Sequence, residues 1–328
     1  MEKYSQFRDK GSGISPFLPT TQPTSIMAKI LGAWIFIIRL PLFVVYCALY
    51  FLMLDHLPIP PVLRKILLWA MMTIPGIWWI DLQLDGVKRG SLSQQPASRF
   101  PRERAVIAAQ FTSPVDAVYL ATIFDPIFVV SYPGTRKVQR VSLFRATALA
   151  LAPPSTTTPR TGLTDLRALV EENPHRVIAV FPEMTTTNGK GILPFSPSLL
   201  ATPADANIFA VSMRYTAPDI TTPIPGAWLS FLWNLLRRPT HCVRVRIAEG
   251  VSNTTVAMNG LTHADMGDKV GNGEDGEADL APEEVRLLDH VGDSLARLAR
   301  NKRVGLSLRD KAAFVEAWSK GKGNGGWL

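Results

Sequence analysis

An apolar segment at residues 30–54 limits what this chain can fold into more than any other part of its sequence. Its only charged residue is Arg39, and Pro41 follows two positions later. A helix rises about 1.5 Å per residue, so a segment of this length reaches across a hydrocarbon core of roughly 30 Å. Soluble helices rarely stay apolar on all sides over such a length. The segment therefore indicates a membrane-associated helix, with a buried helix pair in a soluble domain as the alternative.

A second, shorter apolar segment follows at residues 66–80 and carries Trp69, Trp78 and Trp79. It is short for a span and is interrupted by Pro-Gly, so it is predicted to be re-entrant or interfacial, with its tryptophans at headgroup depth. Lys29 precedes the two segments, and Lys88 and Arg89 follow them. Because basic flanks stay on the cytosolic side, residues 26–84 are predicted to form an apolar hairpin that enters and leaves the membrane on one face.

The composition favours an anionic partner. The formal net charge is +8, and 47% of the residues are hydrophobic, which gives a sizeable core and a basic surface. The sequence shows neither zinc-finger spacing nor aromatic residues interleaved with basic ones, which are signatures of nucleic-acid binding. A membrane surface is therefore predicted rather than nucleic acid. The two cysteines, Cys47 and Cys242, form no disulfide framework and indicate the reducing cytosol.

Beyond residue 85, short apolar strands alternate with helical segments, which predicts an α/β domain with a central, mostly parallel sheet flanked by helices. Strands are predicted at 105–109, 127–131, 177–181, 208–213 and 243–247, and helices at 115–123, 162–172, 227–238, 282–300 and 307–318. The predicted divisions are a polar N-terminal tail (1–25), the hairpin (26–84), the α/β domain (85–260), an acidic flexible loop (261–281) and C-terminal helices with a tail (282–328).

A polar turn follows the predicted strand 177–181, at the edge where open α/β sheets bind ligands. Around a glycine it places a carboxylate, three hydroxyls, an amide and an ammonium group: Glu183, Thr185, Thr186, Thr187, Asn188, Gly189 and Lys190. Hydroxyls, backbone N–H groups and a cation are what a phosphate monoester needs. The alternative is an ordinary turn in which Glu183 is a cap.

A second polar block, Thr112-Ser113-Pro114 with Asp116, lies between the strand 105–109 and an apolar helix. It also follows directly on a strand that is predicted to be buried.

The two blocks resemble the motifs of the lysophosphatidate acyltransferase family of glycerolipid acyltransferases. That family carries Phe-Pro-Glu-Gly-Thr, matched here by Phe181, Pro182, Glu183 and Thr185 and continued through Lys190, with Met184 in place of glycine. Methionine lacks the freedom of glycine to take a positive φ at little cost. The resemblance implies a glycerolipid acyltransferase-like fold, in which the block binds the glycerol phosphate of the acceptor. Thr112 and Ser113 are predicted to bind substrate with it.

The first family motif is Asn-His followed by Asp, and here Phe111 occupies the histidine position. In the family, the histidine takes the proton of the acceptor hydroxyl and the aspartate orients the imidazole, which contributes roughly 10²- to 10⁴-fold. Asp116 is therefore predicted to be the catalytic residue. It serves as the base itself, acts through water, or holds the Thr-Ser turn. His175 is predicted to lie on the surface.

The other family motifs are weaker. A strand predicted at 148–152 ends in Pro-Pro where the family has arginine, and 208–211 matches the fourth motif without its proline. The arginines that could bind a phosphate are Arg136, Arg140, Arg145 and Arg160, and the sequence does not select among them.

The N-terminal sequence MEKYSQFRDKGSGISPFLP resembles one fungal branch of the family, found at the endoplasmic reticulum and lipid droplets, which also lacks the histidine. The resemblance implies transfer of an acyl group, oleoyl by preference, from acyl-CoA to the sn-2 hydroxyl of lysophosphatidate. Acyl-CoA is then a substrate, no cofactor is needed, and the catalytic domain faces the cytosol. The alternative is a lipid-binding scaffold for lipid droplets without turnover. An α/β hydrolase is disfavoured because the chain lacks Gly-x-Ser-x-Gly.

Overall fold

In the computed structural model, which describes residues 2–87, 91–253 and 280–323, the apolar strands predicted from the sequence lie side by side. The strands are β1 (Ile77–Leu84), β2 (Val106–Ala109), β3 (Ile127–Ser131), β4 (Val138–Val141), β5 (Leu163–Thr164), β6 (Ile178–Val180), β7 (Gly191–Ile192), β8 (Asn207–Tyr215), β9 (His241–Ile247), β10 (Val251–Ser252) and β11 (Lys302–Arg303). The main sheet has the order β1-β9-β8-β2-β6-β3-β4-β5, with β10 paired to β8, and β11 pairs with β7 in a separate ribbon.

The centre of the sheet is parallel. Strand β2 pairs with β6 on one side and with β8 on the other, and β6 pairs with β3, all in parallel. Every residue of β2 is buried, as expected for a strand covered on both faces. Antiparallel pairs, β3 with β4 and β8 with β9, flank this centre. The predicted α/β fold with a mostly parallel central sheet is confirmed.

Helices cover both faces. They are α1 (Ile26–Leu52), α2 (Pro61–Thr73), α3 (Pro114–Phe124), α4 (Leu143–Leu149), α5 (Leu166–Glu172), α6 (Trp228–Leu236), α7 (Pro282–Ala299) and α8 (Leu308–Gly323). Side chains alternate along β2, so Ile107 and Ala109 join the core formed with α2, α3, α4 and α6. Val106 and Ala108 join the core formed with α5 and α7. The period of two in the strand thus separates the two helical layers.

The predicted interfacial segment at residues 66–80 is wrong. Its first half belongs to α2, and its second half is the start of β1, which pairs in parallel with β9 at the edge of the sheet. The two elements separate at Gly76, which has φ +87°, and a Cβ there would lie 2.4 Å from the carbonyl oxygen of Pro239. Only glycine fits this conformation and this contact. Trp78 and Trp79 are therefore exposed side chains of a strand.

Helix α1 meets the length and hydropathy of a membrane span, on those two criteria alone. It nevertheless lies against the rest of the protein. The guanidinium of Arg39 donates to the carbonyl oxygens of Pro75, Arg238 and Pro239 at 3.3, 2.6 and 3.0 Å. About two turns further on, the Tyr46 hydroxyl donates to the carbonyl oxygen of Leu67 at 2.9 Å. These contacts account for a charge in the middle of an apolar helix, because Arg39 satisfies carbonyl groups just beyond the ends of α6 and α2.

Three other predictions need correction. The predicted polar tail packs on the domain within its described residues, 2–25, since Phe7 and Phe17 are buried in a cluster with Phe314 of α8. The strand predicted at 148–152 is the end of α4 and the turn after it. Helix α7, assigned to a separate C-terminal part, packs on the main sheet. The predicted acidic loop at 261–281 lies almost wholly outside the described residues, and His175 is exposed as predicted.

Candidate active site

The two polar blocks lie together at the carboxyl ends of adjacent strands. The first is the turn at 110–116 after β2. The second is residues 181–190 after β6, called the acceptor loop here for the role that the family resemblance implies. The backbone N–H of Thr187 donates to the carbonyl oxygen of Phe111 at 3.1 Å. Thr222 joins them from a third segment, with its N–H donating to the Thr112 carbonyl at 2.8 Å. Thr222 was not predicted, because no family pattern or local signal marks it.

Asp116 holds the first turn. Ser113 caps α3, Pro114 is its first residue, and Asp116 completes a capping box. Carboxylate Oδ2 accepts from the N–H groups of Thr112 and Ser113 at 2.6 and 2.8 Å and from the Thr112 hydroxyl at 3.0 Å. The hydroxyl of Tyr215 donates to Oδ1. Four donors therefore surround a carboxylate that is fully buried.

This geometry favours one of the three roles predicted for Asp116, which is to hold the Thr-Ser turn. Burial raises the pKa of Asp116 to about 6, against the lowering effect of the bonds from Tyr215, Thr112 and Ser113. Asp116 is fully buried and does not line the cleft between the two turns, which separates its carboxylate from a substrate hydroxyl. The catalytic assignment of Asp116 stays a prediction.

Phe111 fills the histidine position with a stacked ring. Its centroid lies 4.4 Å from that of Phe181, at an interplanar angle of 25°. Phe128 of β3 extends the stack, 6.4 Å from Phe181. Offset stacking adds about 0.5–1.5 kcal/mol to the burial of such rings. The position that carries imidazole in the family is therefore part of an apolar stack that joins the two turns.

The acceptor loop begins with a tight turn from Phe181 to Met184, closed by a bond from the Met184 N–H to the Phe181 carbonyl at 3.1 Å. Pro182 occupies the second position, where its fixed φ is favoured. Met184 has φ +58°, so it adopts the left-handed conformation that glycine takes at little cost. Methionine does not share that freedom, and Met184 carries a strain of about 1 kcal/mol.

Glu183 is buried and bridges the two blocks. Its Oε2 accepts from the N–H of Leu193 at 3.1 Å, and its Oε1 accepts a long bond of 3.5 Å from the N–H of Phe111. Burial raises the pKa of Glu183 to about 8, with Asp116 adding to the rise and the two backbone bonds opposing it. The geometry therefore favours the alternative in which Glu183 caps backbone N–H groups over one in which it contacts a substrate directly.

The stability of the protein should fall as pH rises from 6 to 7, and Glu183 should be the cause. Its folded pKa, about 8, lies above the ordinary 4.5, so between these values the folded state holds a proton that the unfolded state has released. The contribution of Asp116 ends near pH 6. Burial lowers the pKa of Lys311 to about 7, and this group acts in the opposite direction, more weakly than Glu183 over the same interval. Thermal unfolding midpoints at pH 6 and 7 check this. The wild type should lose stability, whereas Glu183→Gln should not. An equal slope in both proteins would rule out Glu183 as the cause.

The remaining predicted residues divide into those that brace the loop and those that line a small cleft between the two turns. The cleft is not lined by the second half of the loop, which comprises Thr186, Thr187, Asn188, Gly189 and Lys190. The Asn188 amide donates to the carbonyl oxygens of Ser15 and Leu18, both at 2.8 Å. The walls of the cleft also exclude Thr112, Ser113, Pro182 and Glu183. Phe181 and Thr185 do line it, together with Phe111 and Met184.

The cleft lies between the two turns, the end of β3 and helix α4, and has a volume of about 60 Å³. The cleft is lined by one cationic side chain among the described residues, that of Arg145 in α4. This choice among four arginines was not possible from the sequence, because it depends on which face of α4 meets the turns. Arg136 pairs instead with Glu284 at 3.0 Å. The guanidinium of Arg145 has no carboxylate partner among the described residues. The cleft thus offers an unpaired guanidinium, a threonine and an aromatic floor.

The names of two curated relatives agree with the family that the motifs resemble. A Schizosaccharomyces pombe protein named "Putative lysophosphatidic acid:oleoyl-CoA acyltransferase" is 25% identical, over 98% of this chain and 99% of that protein. A Saccharomyces cerevisiae protein named "Lysophosphatidic acid:oleoyl-CoA acyltransferase 1" is 27% identical, over 60% of this chain and 61% of that protein. No protein-family model matches the chain. The resemblance indicated by the motifs is confirmed, and the chain is a homologue of fungal proteins named as lysophosphatidic acid:oleoyl-CoA acyltransferases.

Proposed function

We propose that the protein transfers an acyl group from acyl-CoA to the sn-2 hydroxyl of lysophosphatidate, giving phosphatidate, with oleoyl as the preferred chain. The observation that carries the proposal is the cleft, where Arg145 meets the acceptor loop at the carboxyl ends of β2 and β6. A guanidinium binds a phosphate monoester through paired N–H groups. The names of both relatives support the same substrates.

In this reaction the acceptor hydroxyl oxygen attacks the thioester carbonyl carbon. A C–O bond forms, the C–S bond breaks with its electrons going to sulfur, and the hydroxyl proton ends on the thiol of coenzyme A. The described side chains that line the cleft include neither a carboxylate nor an imidazole. Their contribution is to hold the phosphate, so that the hydroxyl stands beside the thioester. Such positioning alone supplies a large part of many rate enhancements.

An apolar groove of about 260 Å³ suits an acyl chain. It lies on the other side of α4 from the cleft, among α1, α2, α3 and α6, and is lined almost entirely by apolar side chains, including Phe51, Met71, Val115, Phe144 and Phe231. Burying a methylene group there is worth about 0.8 kcal/mol. Helix α4 thus presents Arg145 to the phosphate and Phe144 to the chain.

Replacing Arg145 should selectively weaken the binding of the acceptor, lysophosphatidate. Arg145→Gln removes the cation of the cleft, and KM for lysophosphatidate should rise on the order of 10- to 100-fold, the loss expected for a charged hydrogen-bond pair. KM for oleoyl-CoA should change little. Arg140→Gln is the matched control, because Arg140 is an exposed arginine on β4 that does not line the cleft. Equal effects of the two variants would contradict the assignment of the phosphate to Arg145.

We also propose that the protein works at the surface of the endoplasmic reticulum and lipid droplets, with the catalytic domain in the cytosol. Large apolar side chains are exposed along α1 and on neighbouring elements, among them Trp34, Ile38, Trp78, Trp79 and Leu229. Because α1 also packs lengthwise on the domain through Arg39 and Tyr46, it suits a helix lying in one leaflet. An apolar face of this kind binds lipid in proportion to its buried area.

Flotation of the purified protein with phosphatidylcholine vesicles tests this surface. The double variant Trp34→Asp with Ile38→Asp should bind far less, because two charges would enter the hydrocarbon boundary. Val285→Asp, an exposed apolar residue of α7 on the other helical layer, should bind like the wild type. Unchanged flotation of the double variant would contradict the proposal.

Phe111 favours a second candidate, a lipid-binding scaffold of lipid droplets that keeps the fold without turnover. It predicts binding of lysophosphatidate without formation of phosphatidate. Asp116→Ala would then change droplet size in cells but leave cellular phosphatidate unchanged. A fall in phosphatidate that depends on Asp116 would count against the scaffold.

A further inference from the structure

An N-terminal segment and helix α8 meet on the acceptor loop. The ring of Phe314 in α8 lies 5.3 Å from that of Phe7 and 5.8 Å from that of Phe17, centroid to centroid. Between these rings and the sheet, Asn188 donates to the Leu18 carbonyl at 2.8 Å. The loop is therefore covered by two segments that are remote in sequence and belong to neither polar block.

Lys311 of α8 reaches the loop from beneath. The residue is fully buried, and its Nζ donates to Thr186 Oγ1 at 3.0 Å and to the Thr186 carbonyl oxygen. Burial lowers the pKa of Lys311 to about 7, and the nearby carboxyl of Glu183 opposes this shift. A buried amine needs hydrogen-bond partners in either protonation state. Thr186 supplies both of the acceptors that Lys311 has among the described residues.

The contact fixes one peptide group at both of its ends. The Thr186 carbonyl is held by Lys311, and the N–H of the same peptide group, that of Thr187, donates to the Phe111 carbonyl at 3.1 Å. The Thr186 hydroxyl also donates to the Thr222 carbonyl at 2.7 Å. This peptide group therefore has no freedom to rotate, and it directly follows Thr185, which lines the cleft.

We propose that Lys311 is a positioning residue for the acceptor, which holds the Thr186–Thr187 peptide group so that Thr185 and the neighbouring backbone face the phosphate of lysophosphatidate. This inference rests on the proposed function, since it concerns how the same cleft is shaped. Lys311 touches no substrate and acts through Thr186. The aromatic cluster of Phe7, Phe17 and Phe314 shields its amine from water.

The experiment compares Lys311→Met with Lys320→Met in the full-length protein. Methionine keeps most of the volume of Lys311 and removes a buried charge, so folding should be retained. Lys320 is on the same helix, with an exposed side chain that pairs with Glu316. Two readouts are measured at one pH: amide hydrogen exchange in peptides covering residues 181–193, and KM for lysophosphatidate against KM for oleoyl-CoA.

Lys311→Met should raise exchange at Thr187 about tenfold, with the strand β6 unchanged, and should raise KM for lysophosphatidate on the order of tenfold while KM for oleoyl-CoA stays within a factor of about two. Lys320→Met should match the wild type. Unchanged exchange in the loop overturns the inference even if the protein is an active enzyme. Equal rises in both KM values overturn it too, because they indicate general damage. If the wild type neither binds nor acylates lysophosphatidate, the proposed function fails, and the positioning role fails with it whatever the exchange data show.

Discussion

Asp116→Asn is expected to remove most acyl transfer and to lower stability in the same step. The carboxylate accepts four bonds, from Thr112, Ser113 and Tyr215. An amide can accept on one side only. With its oxygen toward the donors of Thr112 and Ser113, its NH₂ group can donate to the Tyr215 hydroxyl oxygen, and the Tyr215 proton then loses its acceptor. A buried donor left without an acceptor costs about 1–3 kcal/mol. A loss of roughly that size follows, with a shift of the turn that carries Phe111.

The rate should fall because the turn forms one side of the acceptor site. A misplacement of about 1 Å reduces rates on the order of 10²-fold, and we expect a loss of that size in kcat/KM for lysophosphatidate. Unfolding midpoints and steady-state rates on the same preparations check both effects. Asp165→Asn is the matched control, since Asp165 caps α5 through one bond to the Arg167 N–H and asparagine caps a helix equally well.

A different outcome would identify Asp116 as the proton acceptor. In that case Asp116→Asn would lower kcat and leave the unfolding midpoint within the range of the control. The framework role described above would then be wrong, and the catalytic prediction made from the sequence would be right. The two roles are distinguished by whether rate and stability fall together.

Phe111→His, which restores the residue of the family, is expected to lower stability and to give no gain in rate. It replaces a stacked ring by one that buries a polar N–H group, and the stack with Phe181 at 4.4 Å is weakened. The expected cost is roughly 2–4 kcal/mol. A new imidazole also needs a carboxylate to orient it, and Asp116 already accepts four bonds.

Phe111→Leu provides the control for this substitution, because it removes the ring without supplying a base. Both variants should show similar rates, below that of the wild type, in an assay of phosphatidate formation. General-base catalysis contributes roughly 10²- to 10⁴-fold. An increase of that order in Phe111→His alone would show that the site is built for histidine, contrary to this account.

The sheet and the meeting of the two polar blocks were predictable because they depend on local signals. Buried strands such as β2 and β6 are apolar throughout, and the carboxyl ends of parallel neighbours share one edge. The amino-acid sequence was therefore enough to place Thr112 and Glu183 near one another. It was not enough to assign their roles, since Glu183 bonds to backbone groups of Phe111 and Leu193 and not to the cleft.

Other features depend on contacts between distant parts of the chain and leave no local pattern. The second apolar segment becomes the strand β1 only because β9, more than 150 residues later, supplies a partner. Lys311 is one lysine among many in the sequence, and only the packing of α8 on the acceptor loop distinguishes it. Arg145 is likewise selected by the face of α4 that meets the turns.

The central claim is tested most directly by acyl transfer with the purified full-length protein. Labelled oleoyl-CoA and lysophosphatidate are supplied in vesicles, and phosphatidate is measured beside the Arg145→Gln variant and a preparation from host membranes without the protein. We predict phosphatidate formation by the wild type, a strongly reduced rate in the variant at low lysophosphatidate, and none above background in the host preparation. A wild-type protein that binds lysophosphatidate but forms no phosphatidate above the host background would contradict the account and support the scaffold.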